Sequence, residues 1–432
     1  MKILISTWGN PKGWDEVIYY YKGEKRKLKD TSRLIKEKEG IEKTIIVSID
    51  TLFDECALFL SQISYQNIKN LSQSFIQNFC KRESGYNPDK VIISYGVGEF
   101  NNSKFIGNAM DFYYSVFKEL SFTFVEWLEG NSSTKSIDVY LDISHGINFL
   151  PVLTYRALRE ILQILAYDFE LKLIVLNSDT YIRTAKPDVL NINAIEESKI
   201  LPKMIAYKNP KRCIEPYFGL GNREKCDIGR NIGKNFSIND EIMYFLSAFM
   251  YALPVFAIKF LPNKGDLKKG IEEVVKKFEE SILITDSSKK IEIKRNIEFT
   301  LTFENLIKAY LISWLLNKKG IYQKDEIELE EIKKIKEEIW KDKFPVESNR
   351  IDVEIERINE LSSSLFGQYK TYAEIKGKSI SNNIDKRNFF AHAGFEHNSI
   401  MLRKANDKII LKVNNVVEEQ IKRLLEDNLP RS

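Results

Sequence analysis

The chain has 432 residues, of which 29% are charged, yet its formal net charge is only +4. That length supports two or three domains with cores of their own. The near balance of charge excludes a protein that coats nucleic acid through bulk electrostatics, so any contact with RNA or DNA is local.

Met1-Lys2 runs at once into a strand-like apolar stretch, Lys2 to Ser6, so no secretory leader is expected and the chain reads as cytoplasmic. A turn-rich loop, Thr7-Trp8-Gly9-Asn10-Pro11, follows. Residues 17–21 and 25–28 flank Gly23 and predict a hairpin. Strands are expected at 44–49, 90–94, 137–141 and 171–176, and long helices at 68–79, 110–128 and 149–167. Strands alternating with helices predict a mainly parallel, doubly wound α/β sheet. Ligands bind such sheets beyond the carboxyl ends of the strands. Three strand-end loops stand out there: Thr7-Trp8-Gly9-Asn10, Tyr95-Gly96-Val97-Gly98, and Asp142-Ile143-Ser144-His145-Gly146-Ile147-Asn148. They offer hydroxyls, amides, close-approach glycines, a histidine and a stackable tryptophan, which suits phosphates and bases. Gly96-Val97-Gly98 lacks the third glycine of a dinucleotide fingerprint, so NAD is rejected.

Residues 177–237 show poor periodicity and read as a connector, with basic residues and glycines concentrated in 209–236. Cys213 and Cys226 are close enough in sequence to pair, but two cysteines with no nearby histidine and no CxxC do not make a zinc site. Only four cysteines in so long a chain indicate an intracellular protein, and abundant Lys, Glu and Ile with scarce His, Cys and Met lean towards a thermophile. The run 242–258 approaches membrane-spanning length, but Pro254 and its aromatics favour a buried helix or an oligomer contact. An amphipathic helix is expected at 271–282. Further helices are expected at 297–316, 327–340, 351–361 and 416–425, with a small hairpin at 401–404 and 409–413.

The densest chemical signal is Asp385-Lys386-Arg387-Asn388-Phe389-Phe390-Ala391-His392-Ala393-Gly394-Phe395. Asp385 can cap a helix start and Gly394 can close its end. Asn388 and His392 share a face. Arg387 lies about 140° round the helix from His392, so one copy points them apart, while two copies facing across a two-fold axis could bring guanidinium and imidazole together. A proton-moving histidine beside a phosphate-binding arginine suits cleavage of RNA by its own 2′-hydroxyl.

Arg-Asn-Phe-Phe-Ala-His resembles the Arg-x(4 to 6)-His signature of HEPN ribonucleases. The longer string through Gly394-Phe395 is similar to the version in the CRISPR-associated CARF–HEPN ribonucleases of type III systems. Asp-Ile-Ser-His-Gly-Ile-Asn looks like the Asp-x-(Ser/Thr)-His-Gly loop of CARF domains in that family, and Ser-Thr-Trp-Gly-Asn-Pro is similar to its first loop. The resemblance implies a CARF domain at 1–178, a connector and helical, winged-helix-like module at 179–292, and an all-α HEPN bundle at 293–432. It implies a metal-independent endoribonuclease on single-stranded RNA, working in antiviral defence as a homodimer or larger assembly, with no metal and no resident cofactor. The catalytic roles fall on Arg387 and His392, supported by Asn388. The implied activator is a cyclic oligoadenylate, cyclic tetra-adenylate in most of the family. It would be held by Thr7, Trp8, Gly9, Asn10, Tyr95, Gly96, Gly98, Asp142, Ser144, His145, Gly146 and Asn148. The alternative is a nucleotide-sensing transcription regulator whose middle module reads DNA.

Overall fold

The computed structural model describes residues 1–56, 63–131, 133–185, 187–208, 212–232, 240–286, 290–361, 363 and 367–431. Packing divides the chain into two units. The first takes Met1–Leu201, Ile214–Asn235 and Val274–Thr300, and the second takes Pro202–Cys213, Phe236–Glu273 and Leu301–Ser432. The stretch read as one middle module, 179–292, is therefore divided between them.

In the first unit the strands run β1 (Lys2–Thr7), β2 (Val17–Tyr21), β3 (Glu24–Leu28), β4 (Lys43–Ile49), β5 (Lys90–Ser94), β6 (Gly98–Glu99), β7 (Ser103–Ile106), β8 (Ser136–Asp142), β9 (Glu170–Ser178) and β10 (Leu190–Ile200). Eight of them form one sheet in the order β3-β2-β10-β9-β8-β1-β4-β5. The five from β9 to β5 are parallel neighbours. Helices α1 (Ser32–Glu39), α2 (Tyr65–Phe79), α3 (Met110–Glu129) and α4 (Leu150–Leu165) are the crossovers. Strands covered on both faces have no wet side, which is why β1, β4 and β5 read as unbroken apolar runs rather than alternating ones. The hairpin β2–β3 turns at Lys22 and Gly23, both at positive φ, as expected of a two-residue loop. This is the doubly wound sheet that the alternation predicted.

Two stretches of this unit depart from the sequence reading. The supposed connector contains β10, antiparallel to β9 through eight residue pairs, and α5 (Asn222–Ile232). β10 carries Asn, Glu, Ser and Lys on a largely exposed face, so it lacks the apolar signature of its neighbours. The ends of the basic stretch, 209–211 and 233–236, lie outside the described residues. Further on, β11 (Ile214–Pro216) pairs with a later strand, β14 (Ile297–Phe299). β12 (Ile282–Asp286) and β13 (Ile291–Arg295) extend a small sheet of order β12-β13-β7-β6. Residues 297–299 are therefore strand and not the start of a helix. A buried ion pair fixes this segment: Arg295 Nη2 meets Asp50 Oδ2, with both side chains fully buried. Arg295 Nη1 also donates to the Gly96 carbonyl at 2.6 Å, and Tyr65 Oη donates to Asp50 at 2.8 Å.

The second unit is mostly helical: α6 (Asp240–Met250), α7 (Pro254–Lys259), α9 (Leu301–Lys318), α10 (Leu329–Ile335), α11 (Pro345–Glu360), α12 (Tyr372–Ile375), α13 (Lys386–Ala391) and α14 (Glu418–Asp427). α8 (Lys264–Glu280) begins here and ends in the first unit. The apolar run that approached membrane-spanning length is two helices broken at Ala252 (φ 49) and Pro254. Among the described residues no helix is long and apolar enough to cross a membrane. α9 is buried round most of its length, and its buried charged residues Lys308 and Glu304 pair with each other at 2.6 Å. The expected hairpin is β17 (Ile400–Ala405) and β18 (Lys408–Val413), and it joins β15 (Ile327–Glu328) and β16 (Lys370–Thr371) in a four-stranded sheet. Cys56, Cys80, Cys213 and Cys226 are free thiols, so Cys213 and Cys226 do not pair.

Candidate active site and ligand pocket

In the second unit the site begins with a short helix whose two ends are specified by sequence. Asp385 accepts a hydrogen bond from the Asn388 backbone N–H at 2.7 Å, capping α13. Ala393 (φ 50) and Gly394 (φ 85) then turn the chain out of the helix. A Cβ on Gly394 would stand 2.7 Å from the Phe256 ring, so the position requires glycine on both conformational and steric grounds. Phe389 is buried against Phe256, which anchors the helix by one face. Arg387 and Asn388 are exposed on the other face. Arg387 forms no ion pair among the described residues. His392, at the helix C-terminus, is held from α11: its Nδ1 lies 2.8 Å from Glu354 Oε1. Arg357 Nη1 donates to the same oxygen at 2.6 Å and stands 3.4 Å from His392 Nδ1. Sequence reasoning missed Glu354 and Arg357, because their three-residue spacing on a charged helix carries no sign that a histidine 38 residues later folds against them. His397 lies beside this cluster; its Nε2 contacts Lys378 Nζ at 2.5 Å, and burial with that neighbouring cation holds its imidazole below the ordinary range.

In the first unit a cavity of about 570 Å³ opens at the carboxyl ends of β1, β8 and β9. Ser144 and His145 line it, as do Trp14, Asp15, Lys29, Asn177, Tyr181 and Arg183, which the sequence reading did not single out. The Trp14 and His145 rings pack against each other, tilted by 34°, with centroids 4.1 Å apart. Burial pushes the His145 imidazole below its ordinary pKa, against the pull of Asp142 and Asp30. Asp15 accepts from Tyr181 and from Arg183, each at 2.8 Å, at the exposed rim. A second tryptophan six residues after Trp8 was the available signal for this loop.

The structure joins the first and third predicted loops. Gly9 N–H donates to the His145 carbonyl at 2.9 Å. Thr7 Oγ1 contacts the Asp142 carbonyl at 3.4 Å, and the Asp142 side chain accepts from Ser144 N–H at 3.0 Å. A Cβ on Gly146 would sit 2.3 Å from Pro151 and 2.5 Å from Thr7 Oγ1, so that close approach admits only glycine. Asn10 caps a short turn and bonds Glu55 at 2.8 Å, and Asn148 is exposed at φ 50. Of the predicted ligand residues only Ser144 and His145 line the cavity; Thr7, Gly9, Asn10, Asp142, Gly146 and Asn148 do not.

Two expectations are corrected. Trp8 is fully buried, edge-on to Trp14 and Phe79, so it belongs to the core beneath α2 and cannot stack on a base. Tyr95 is also buried, with its hydroxyl donating to Glu279 at 3.0 Å and its ring on Phe278. Gly96 is tied to Asp50 through its N–H at 2.8 Å, and Gly98 opens β6. The second loop is thus committed to the Asp50–Arg295 core and does not line the cavity.

A cleft at the carboxyl ends of a doubly wound sheet in one unit, and an Arg-x4-His helix in a mostly helical second unit, define a CARF–HEPN protein of the CRISPR ribonuclease class. The sequence comparisons narrow the class. Residues 3–180 match the family described as CRISPR system endoribonuclease Csx1, CARF domain, and residues 318–415 match its HEPN domain. The chain is 31% identical over 416 residues to the CRISPR system endoribonuclease Csx1 of Methanocaldococcus jannaschii, covering 91% of this chain and 85% of that relative. The chain belongs to the Csx1 family of CRISPR system endoribonucleases.

Proposed function

We propose that the chain cuts single-stranded RNA without a metal, by 2′-hydroxyl attack that leaves a 2′,3′-cyclic phosphate, and that a cyclic oligoadenylate switches this activity on. The observation that carries the reading is the α13 cluster: a helix fixed at both ends presents Arg387 to solvent while His392 is gripped by Glu354. In this reading His392 moves the proton of the attacking hydroxyl or the leaving oxygen, Arg387 stabilises charge on the phosphate, and Asn388 orients the substrate. Guanidinium and imidazole project from different faces of α13, so a homodimer supplies the composite cleft. Single strands are favoured because A-form duplex resists in-line geometry.

The activator occupies the cavity of the first unit. Its volume falls in the range of small-molecule sites, and Arg183 and Lys29 give it cations for phosphate oxygens. A two-fold symmetric ring across two copies of this cleft is the expected arrangement, and cyclic tetra-adenylate is the first candidate. The test is RNA cleavage in EDTA with and without cyclic tetra-adenylate. Wild type is expected to cut only with the ring present, giving 2′,3′-cyclic phosphate ends by mass spectrometry. His392→Ala and Arg387→Ala are each expected to lose at least about 10²-fold in rate. Full activity of His392→Ala would refute the site.

A further inference from the structure

The contact between α11 and the end of α13 carries an inference that rests on the ribonuclease reading and deepens it. A carboxylate at an imidazole nitrogen decides which ring nitrogen bears the proton, and so which one is left to react. Glu354 Oε1 is the acceptor at His392 Nδ1, at 2.8 Å. The same oxygen already accepts from the Arg357 guanidinium, which can only donate. Nδ1 therefore carries a hydrogen, and Nε2 is the nitrogen free for substrate. The geometry around the pair is asymmetric in a useful way: the Glu354 side chain is 3% exposed and that of His392 is 39% exposed. The carboxylate is sealed in while the imidazole reaches solvent.

Arg357 makes the arrangement sensitive. Its Nη1 lies 3.4 Å from His392 Nδ1. With Glu354 in place both groups donate to one oxygen. Without it, the Arg357 guanidinium is left facing Nδ1, and a donor there makes Nδ1 the acceptor. The proton then moves to Nε2, and the substrate-facing lone pair is lost.

We propose that Glu354 is a positioning residue that fixes His392 as the Nδ1–H tautomer, so that Nε2 faces the scissile phosphodiester. The chain has three histidines, so selective ¹⁵N-histidine labelling gives a spectrum of three rings, with His392 assigned by its absence in His392→Ala. In the wild-type protein at the pH of the activity assay, His392 is expected to show Nδ1–H and an unprotonated Nε2. An Nε2–H signal overturns the proposal, and this check needs no variant to fold. Glu354→Ala is expected to move the proton to Nε2 and lower kcat on the order of 10²–10⁴-fold with KM within about threefold, as for loss of a group acting on a proton-transfer step. Glu354→Gln keeps an acceptor oxygen for both donors and is expected to keep the tautomer and to restore kcat to within about tenfold of wild type. All assays use single-stranded RNA with cyclic tetra-adenylate. Wild-type kcat in Glu354→Ala, or an equal loss in Gln and Ala with the tautomer unchanged in both, overturns the inference. If His392→Ala still cuts RNA, the ribonuclease site itself is misplaced. If His392→Ala is dead while Glu354→Ala is fully active, only the positioning role fails.

Discussion

Asp111, on α3, shows how far one residue departs from its sequence appearance. It sits on a helix among aromatic residues, and its Oδ1 accepts from the Phe299 N–H at 2.9 Å. Its other oxygen is buried and has no hydrogen-bond partner among the described residues. Burial pushes its carboxyl up to about 8. A raised carboxyl pKa means that the folded state holds a proton that the unfolded state has already released. Stability from this group is therefore present below the unfolded value near 4 and is lost as pH rises towards 8. Asp111→Asn keeps the acceptor and removes the charge. Its melting temperature is expected to match wild type near pH 4 and to exceed it by several degrees at pH 9, read by calorimetry across that range. A constant difference across pH would refute the assignment. Single residues were also where the sequence was hardest to read. His392 and Arg387 stood out because their types and spacing are chemically specific. Trp8 and Tyr95 misled, because an aromatic at a strand end serves a core as well as it serves a ligand, and only packing against Phe79 or Phe278 tells the two apart.

At the scale of elements, α13 was legible from both ends because capping is local physics. Asp385 and Gly394 act on their own backbone neighbourhood, so no distant contact is needed to foresee them. Gly394→Ala forces a side chain into φ 85 and into the Phe256 ring. The expected cost is about 2 kcal/mol or more of second-unit stability. A loss of RNA cleavage is expected even at temperatures where the variant stays folded, since His392 lies two residues upstream; melting curves and activity together check this. β10 and β14 were not legible. β10 has one wet face and few apolar residues, and β14 is three residues long. β10 is a strand because the preceding strand, β9, offers it backbone hydrogen bonds, and β14 because β11, much earlier in the chain, does so. Alternation and periodicity see only near neighbours.

At the scale of the whole molecule, the sequence disclosed two kinds of fold, an α/β sheet and a mostly helical body, but not how the chain is shared between them. Residues 274–300 belong to the first unit, held there by Arg295 on Asp50. Removing one partner of a fully buried pair leaves a charge without its counterion. Arg295→Met is therefore expected to destabilise the first unit by about 3–5 kcal/mol in chemical denaturation. The double variant Asp50→Leu with Arg295→Met is expected to recover most of that loss. Equal effects of the single and double variants would show that the pair is not what secures the segment.

That pair has a consequence for the chain as it is made. Asp50 and Arg295 are 245 residues apart, and a ribosome adding about 5–20 residues per second needs roughly 10–50 s to cover that distance. For all that time the nascent sheet holds a carboxylate whose counter-charge has not yet been synthesised. The first unit can complete this ion pair only once residues 274–300 have been made. A gene cut at codon 178 never supplies the missing arginine.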